Sequence, residues 1–252
     1  KSQCWQKMGE RLSSSDILIS PSRFYSSYME QRLGFNPGSI KVMPNGINMD
    51  GYEISDVPPR YPTIGYLARM CRKKGLEILV DAFIRLRTEL GNSNARLKIA
   101  GAMTAGDVPL VKAMKKRLKK ANLDRDVEWF PNLSRDEKIT FLKSLSLFSV
   151  PVTYPEAFGL YLLEAIACGV PVVQPNMASF LEIISTTGAG LCVPKGNAHS
   201  FADTWQSLLD DPSRLQSMRN YGRQQIEAHF NAPHMSKQFL EITRELLPAN
   251  ST

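Results

Sequence analysis

Apolar and polar positions along this chain change period in a regular way. Short apolar runs at 63–68, 96–100, 127–130, 147–152, 170–174 and 190–193 read as buried strands. Between them, segments 76–90, 107–121, 134–144, 158–168, 178–185 and 200–209 carry apolar residues at helical spacing. In the first of these helices the apolar side is Leu76, Leu79, Val80, Phe83, Leu86 and Leu90. Strands alternating with helices over short connections predict an α/β fold, a Rossmann-like doubly wound parallel sheet. Ligands of such sheets bind where the loops after the strands converge. Arg69, Gly101, Glu156 and Asn176 all follow predicted strands, so they belong on that edge.

The pattern before residue 63 is shorter. A helix, a strand at 16–20, a helix after Pro21 with Phe24, Tyr28 and Leu33 on one face, and a strand at 40–43 end in the turn Pro44-Asn45-Gly46. Two strands and two helices cannot enclose a core alone, so residues 1–46 read as the tail of another α/β unit. The proline-rich stretch DVPPRYP lies in a predicted linker, 48–62. Long amphipathic helices fill 212–247, interrupted at Pro233.

Composition narrows the class. With 43% hydrophobic and 22% charged residues, the 252-residue chain is ordinary for a soluble globular protein. No apolar run reaches membrane-spanning length, and the first residues do not resemble a signal peptide. A start at Lys1 rather than Met predicts an excised piece. Cys4, Cys71, Cys168 and Cys192 are scattered with no CxxC pair, which predicts reduced thiols, a cytoplasmic setting and no disulfide framework or zinc site. His199, His229 and His234 have no metal-ligand spacing. The net charge of +7 concentrates in KAMKKRLKK, 112–120, where Val111, Met114 and Leu118 form the apolar stripe. A solvated helix face explains this block better than a binding patch. Without interleaved aromatics it gives no support to nucleic-acid binding.

The candidate chemistry lies in LFSVPVTYPEAFGLYLLEAIACGVPVVQ, 147–174. Glu164 is the only charge between Ala157 and Val173, and a carboxylate there needs a partner. Glu156 stands just before the same helix, beside Gly159, where backbone amides favour anions. If the backbone between the two glutamates were helical throughout, a ~1.5 Å rise per residue would separate them by roughly 12 Å. That is wider than the ~5–9.5 Å of a glycosidase carboxylate pair and suits gripping hydroxyls at two places on an extended ligand. Plainer roles remain open: a helix-start anion for Glu156, and a buried partner of some arginine for Glu164. The loop Ala68-Arg69-Met70-Cys71-Arg72-Lys73-Lys74-Gly75 sets cations between a strand end and a helix start. It reads equally as a diphosphate site and as surface lysines at a helix entry.

EAFGLYLLE followed by AIACGVPVV resembles the donor-binding domain of retaining GT-B glycosyltransferases (family 4, or group 1). The Arg69…Lys74-Gly75 loop, the Pro44-Asn45-Gly46 turn and GAGLCVP at 188–194 match that family in order and spacing. The resemblance covers about 16–230. It implies that 1–46 is the end of an amino-terminal acceptor domain, 47–230 the donor domain, and 231–252 a helix that packs back on the acceptor domain. By position, Arg69 and Lys74 would hold the diphosphate of a nucleotide sugar and Glu156 the donor-sugar hydroxyls. Glu164 would take the ribose, and the amides around Phe158, Gly159 and Leu160 would complete the contacts, with Gly101 on the same edge. The resemblance implies no metal and no cofactor beyond the donor substrate. The acceptor stays unidentified, and a peripheral membrane contact through the acceptor domain stands beside it.

Three positions depart from the family pattern. Ala68 replaces a glycine before the loop arginine, and Ala157 replaces the glycine of E-G-F-G. The glycine-rich G-x-x-E segment is replaced by Met177-Ala178-Ser179-Phe180-Leu181-Glu182, so this loop is expected to take another path. Glu182 keeps the place of the family's glutamate or serves as a helix-start acid. These departures leave open a non-catalytic nucleotide- or sugar-binding member with a regulatory or scaffolding role. A dehydrogenase-like domain is disfavoured because no G-x-G-x-x-G follows the strand at 63–68.

Overall fold

The computed structural model describes residues 2–244 and 246. It begins with α1 (Ser2–Leu12), β1 (Leu18–Ser20), α2 (Arg23–Leu33) and β2 (Ile40–Val42). The two strands pair in parallel as a small sheet of their own, Leu18 opposite Ile40. Next come β3 (Thr63–Leu67), α3 (Leu76–Thr88), β4 (Arg96–Gly101), α4 (Val108–Lys120), β5 (Val127–Pro131), α5 (Arg135–Lys143) and β6 (Leu147–Phe148). The second half holds α6 (Leu160–Ala167), β7 (Val172–Pro175), α7 (Phe180–Thr187), β8 (Gly190–Val193), α8 (Ala198–Leu209), α9 (Pro212–His229) and α10 (Ala232–Arg244).

Strands β3 to β8 form one parallel sheet in the order β5-β4-β3-β6-β7-β8. Chain order reverses between β3 and β6. Loops leaving these two neighbours diverge, and the crevice between them is where such sheets take ligands. The loop after β3 carries Arg69 and Lys74, and the one after β6 carries Glu156. Beneath them the core is continuous: Ile64 and Tyr66 of β3, Leu79 and Phe83 of α3, Val172 and Val173 of β7, and Trp205 of α8 are all fully buried. Among the described residues no helix is long and apolar enough to cross a membrane.

Several element boundaries differ from expectation, and three of the differences have a local reason. The run 147–152 makes ladder pairs only at Leu147 and Phe148. Beyond them, Pro151 has no N–H to give, and the buried Gln174 side chain accepts from the Val150 amide at 3.3 Å in place of a strand carbonyl. The helix expected from Phe158 begins at Leu160, because Gly159 takes a left-handed backbone, φ 102°. The long helical stretch breaks at Asn231, which bridges to Ile47, and not at Pro233. Pro233 sits in the first turn of α10, where a missing N–H is harmless. Residues 245 and 247 of that expected stretch lie outside the described ones.

Candidate functional site

The β3–α3 loop is held from below. Tyr66, fully buried, donates its hydroxyl to the Arg69 carbonyl at 2.8 Å, and the Met70 amide bonds Ala102 at 2.9 Å. Gly101 packs beneath the loop with φ 132°, and a Cβ there would lie 2.0 Å from the Ala68 carbonyl oxygen. Arg72–Lys74 form a single 3-10 turn closed by Gly75 in a left-handed conformation. A Cβ on Gly75 would lie 1.8 Å from the Pro151 carbonyl oxygen, so only glycine lets the two loops meet. Thr153 then ties them, its amide bonding the Lys73 carbonyl at 2.9 Å.

Across this junction Lys74 forms an ion pair with Glu156, both side chains about one-sixth exposed. The Lys74 ammonium lies 5.4 Å from the Tyr154 ring centre and 5.3 Å from that of Tyr161. Both phenols donate to Glu156, Tyr154 at 3.1 Å and Tyr161 at 2.5 Å. Burial on its own would lower the Lys74 pKa, but its bonds to Glu156 and Tyr154 outweigh that and hold it above the ordinary lysine value. Burial, then the charge of Glu156, push Tyr161 well up, so it remains a donor.

Glu164, one helical run further along α6, sits in a separate cluster. The Tyr52 hydroxyl donates to its Oε1 at 3.0 Å, and Lys138 of α5 reaches the same oxygen at 2.5 Å. Tyr52 is almost fully buried and its ring is flanked by Arg135 at 5.5 Å and Lys138 at 5.9 Å. Burial works to lower the Lys138 pKa, and its bonds to Glu164 raise it overall. Glu164 Oε2 accepts no hydrogen bond among the described residues. The arginine partner that sequence alone allowed for Glu164 is in fact this lysine.

Arg69 does not join either cluster. Its Nε and Nη2 bond Asp107, at 3.1 and 3.2 Å, and Nη2 also reaches Thr104 Oγ1 at 3.3 Å. The predicted phosphate-side residues are therefore at one sheet edge but in two groups: Arg69 with Asp107, and Lys74 with Glu156. Phe158 is buried, Leu160 exposed, and Gly159 between them is the N-cap of α6. A Cβ on Gly159 would lie 2.8 Å from the Phe180 ring. The helical backbone assumed between Glu156 and Glu164 is interrupted by this left-handed residue.

The loop at 177–182 solves its lack of glycine by strain. Ala178 takes φ 54°, a left-handed backbone that an alanine adopts at a penalty of about 1–2 kcal/mol. Ser179, fully buried, donates to the carbonyls of Phe158 at 2.6 Å and Glu156 at 3.2 Å. Glu182 reaches away from the crevice and caps α2, accepting from the amides of Arg23 at 2.9 Å and Phe24 at 2.8 Å. From the same helix start Ser22 donates to the Ala157 carbonyl at 2.8 Å. Ala157 itself is not left-handed, so its methyl group is tolerated.

Sequence reasoning missed Tyr52, Lys138, Asp107, Tyr154 and Tyr161. One signal was available: Lys138 stands three and four residues before the buried Phe141 and Leu142, on the apolar face of its helix. A cation placed there has to meet a buried anion. Tyr52 lies in a loop and Asp107 in a 3-10 turn, and both have partners distant in sequence that gave no such sign. Among the described residues no group of three or more His, Cys, Asp or Glu side chains is placed to hold a metal ion.

The family model for glycosyl transferases group 1 matches residues 53–225. The D-inositol 3-phosphate glycosyltransferase of Rhodococcus jostii (strain RHA1) is 24% identical over 250 residues, covering 95% of this chain and 55% of that protein. The glycogen synthase of Mycobacterium tuberculosis (strain H37Rv) is 29% identical over 220 residues, covering 86% and 51%. The chain thus spans about half the length of the curated relatives it matches. Among solved structures, Anabaena Alr3699/HepE in complex with UDP and glucose superposes with a TM-score of 0.85 at 17% identity, covering 97% of this chain and 68% of that one. The GT-B-type α/β fold expected from the sequence is the fold observed.

Proposed function

The chain belongs to the group 1 glycosyl transferases, and from that premise we propose that it is the donor-binding part of a retaining, family 4-type transferase that moves a sugar from a nucleoside-diphosphate sugar to an acceptor. The observation that carries this reading is the pair of glutamates on either side of the α6 start, each held in its own lysine–tyrosine cluster, beside a cationic loop on the neighbouring strand. Two preset acceptors and a cationic edge match a ligand with hydroxyls at both ends and a diphosphate between.

In the proposed complex the diphosphate lies against Arg69, Lys74 and the amides of Gly159 and Leu160, with Phe158 behind them. Ribose hydroxyls donate to the open Oε2 of Glu164, and donor-sugar hydroxyls donate to Glu156. The bond from the anomeric carbon to the diphosphate oxygen breaks, and its electron pair leaves with the diphosphate. Arg69 and Lys74 stabilise that charge as it develops. The acceptor oxygen forms the new bond, and its proton passes to the released phosphate oxygen. Charge on the diphosphate is met by these cations, so no metal is invoked.

The test is calorimetric titration with UDP, GDP and ADP, without added metal, on the chain and on Arg69→Ala and Glu164→Ala. The likeness to a protein solved with UDP supports that nucleotide as the first to try. Selective binding of one diphosphate, weakened at least tenfold in both variants, is expected, each lost charged hydrogen bond being worth about 1.5–3 kcal/mol. A folded chain that binds none of the three overturns the reading.

A further inference from the structure

We infer that Asp107 is a positioning residue that fixes the Arg69 guanidinium by its Nε–Nη2 edge and leaves its Nη1 side free to read the second phosphate of the donor. The inference rests on the donor reading above and goes beyond it, since it assigns phosphate counting to a residue outside the family motif.

Asp107 lies at the start of α4, at the end of a 3-10 turn, Ala105–Asp107, where it closes a capping box with Thr104. Its Oδ2 accepts from the Thr104 amide at 2.9 Å and from the Thr104 hydroxyl at 2.7 Å. The first of these, with the Thr104 side chain accepting in turn from the Asp107 amide, forms the box, which makes no demand on an arginine. Yet the Arg69 guanidinium lays its Nε–Nη2 edge along the same carboxylate. The Asp107 side chain is only 6% exposed, while that of Arg69 is 54% exposed. The carboxylate is behind, and the guanidinium is in front of it, toward solvent.

A guanidinium has five N–H groups in a fixed plane. Asp107 takes one from Nε and one from Nη2, and Thr104 Oγ1 takes the other on Nη2. Both N–H groups of Nη1 have no partner among the described residues. Arg69 follows β3 directly, its own carbonyl is fixed by Tyr66, and the acid fixes its head. An arginine held at both ends keeps its rotamer before a ligand arrives, so little entropy is lost on contact. Hydrogen bonds from Arg69, then Thr104, pull the Asp107 carboxyl down to about 2, so it is charged at neutral pH.

The same geometry read with the opposite sign makes Asp107 a competitor that holds Arg69 away from phosphate. The experiment separates the two. UDP and UMP (with GDP and GMP, ADP and AMP as the other base pairs) are titrated against the chain, Asp107→Asn, Thr104→Val, and Asp107→Asn combined with Arg69→Ala. Asp107→Asn should weaken diphosphate binding roughly tenfold and leave monophosphate binding within about twofold, in line with the loss of one charge-assisted contact. Thr104→Val, which keeps the carboxylate, should move the ratio in the same direction by less, and serves if Asp107→Asn does not fold. In the Arg69→Ala background, Asp107→Asn should add nothing.

Equal weakening of mono- and diphosphate would mean a purely structural role and overturn the inference. So would unchanged or tighter diphosphate binding by Asp107→Asn, or an additive effect without Arg69. If the unaltered chain binds no diphosphate at all, the donor reading fails first, and the two failures are distinguishable.

Discussion

Glu156 and Glu164 make the sharpest comparison in the molecule. Both are carboxylates associated with one short helix, and both are met by a lysine and by tyrosine hydroxyls. They differ in what holds their backbone. Glu164 is one turn from the end of a regular helix, and its partners come from α5 and the segment before β3. Glu156 stands on irregular chain whose carbonyls are held by Ser22 and Ser179 and whose exit is a left-handed glycine. One carboxylate is placed by secondary structure, the other by a web of contacts reaching back to α2. The lesson is that a motif of two glutamates eight apart hides two different kinds of placement.

The largest way to break the comparison is Gly159→Val. A β-branched residue at φ 102°, with its Cβ 2.8 Å from the Phe180 ring, should cost about 3 kcal/mol in urea unfolding, combining left-handed strain with overpacking. An unchanged midpoint would show that the Glu156 loop is not built this way. Next comes Lys138→Met, which leaves Glu164 without its cation. Nucleoside-diphosphate affinity should fall roughly tenfold by calorimetry, the scale of one charged hydrogen bond, and Lys138→Arg should recover part of it. Should both variants bind like the parent, Glu164 needs no cation to act.

Ser22→Ala is a smaller step. It removes the α2 N-cap and frees the Ala157 carbonyl, and should cost about 1 kcal/mol of stability. If the effect of Gly159→Val is unchanged when Ser22→Ala is added, the two sites act independently and the web does not extend to α2. The smallest effect is on pH dependence. Folding raises the Lys74 pKa, so its stabilisation is complete below the ordinary lysine value of 10.5 and fades as pH rises through the higher folded value. Lys74→Met should flatten stability above that pH and leave the neutral region's slope unchanged. An equally steep alkaline loss in the variant would point to another group.

The fold was legible because its signal is local. Helical spacing at Leu76–Thr88 and alternation of strand and helix from β3 onward each need only neighbouring residues to be read. Arg69, Lys74, Glu156 and Glu164 were picked out through a motif, and Arg69 and Glu156 lie at the sheet edge expected for them. The partners of these four were not picked out, since Tyr52 is 112 residues from Glu164 and Arg69 is 38 from Asp107. The run 147–152 shows the opposite limit: its apolar pattern is that of a full strand, and Pro151 together with the intrusion of the Gln174 side chain cuts it to two residues. Ala178 shows what spacing alone could not foresee: where glycine is absent, the chain accepts a left-handed backbone on an alanine, beside the buried Ser179 that bonds the Phe158 carbonyl.

Trp205 gives the crevice an optical reporter. Its indole is fully buried and donates at 2.8 Å to Ser149 Oγ, which in turn bonds the Val173 carbonyl. Ser149 opens the segment that leads to Glu156. The other two tryptophans, Trp5 and Trp129, are partly exposed and lie under the cations Arg32 and Lys115. One emitter is therefore dry and hydrogen-bonded at the root of the Glu156 loop, and two are partly open to solvent. Iodide should quench the second pair first, and what remains should be blue-shifted fluorescence from Trp205, hydrogen-bonded to the start of that loop and read without any attached dye.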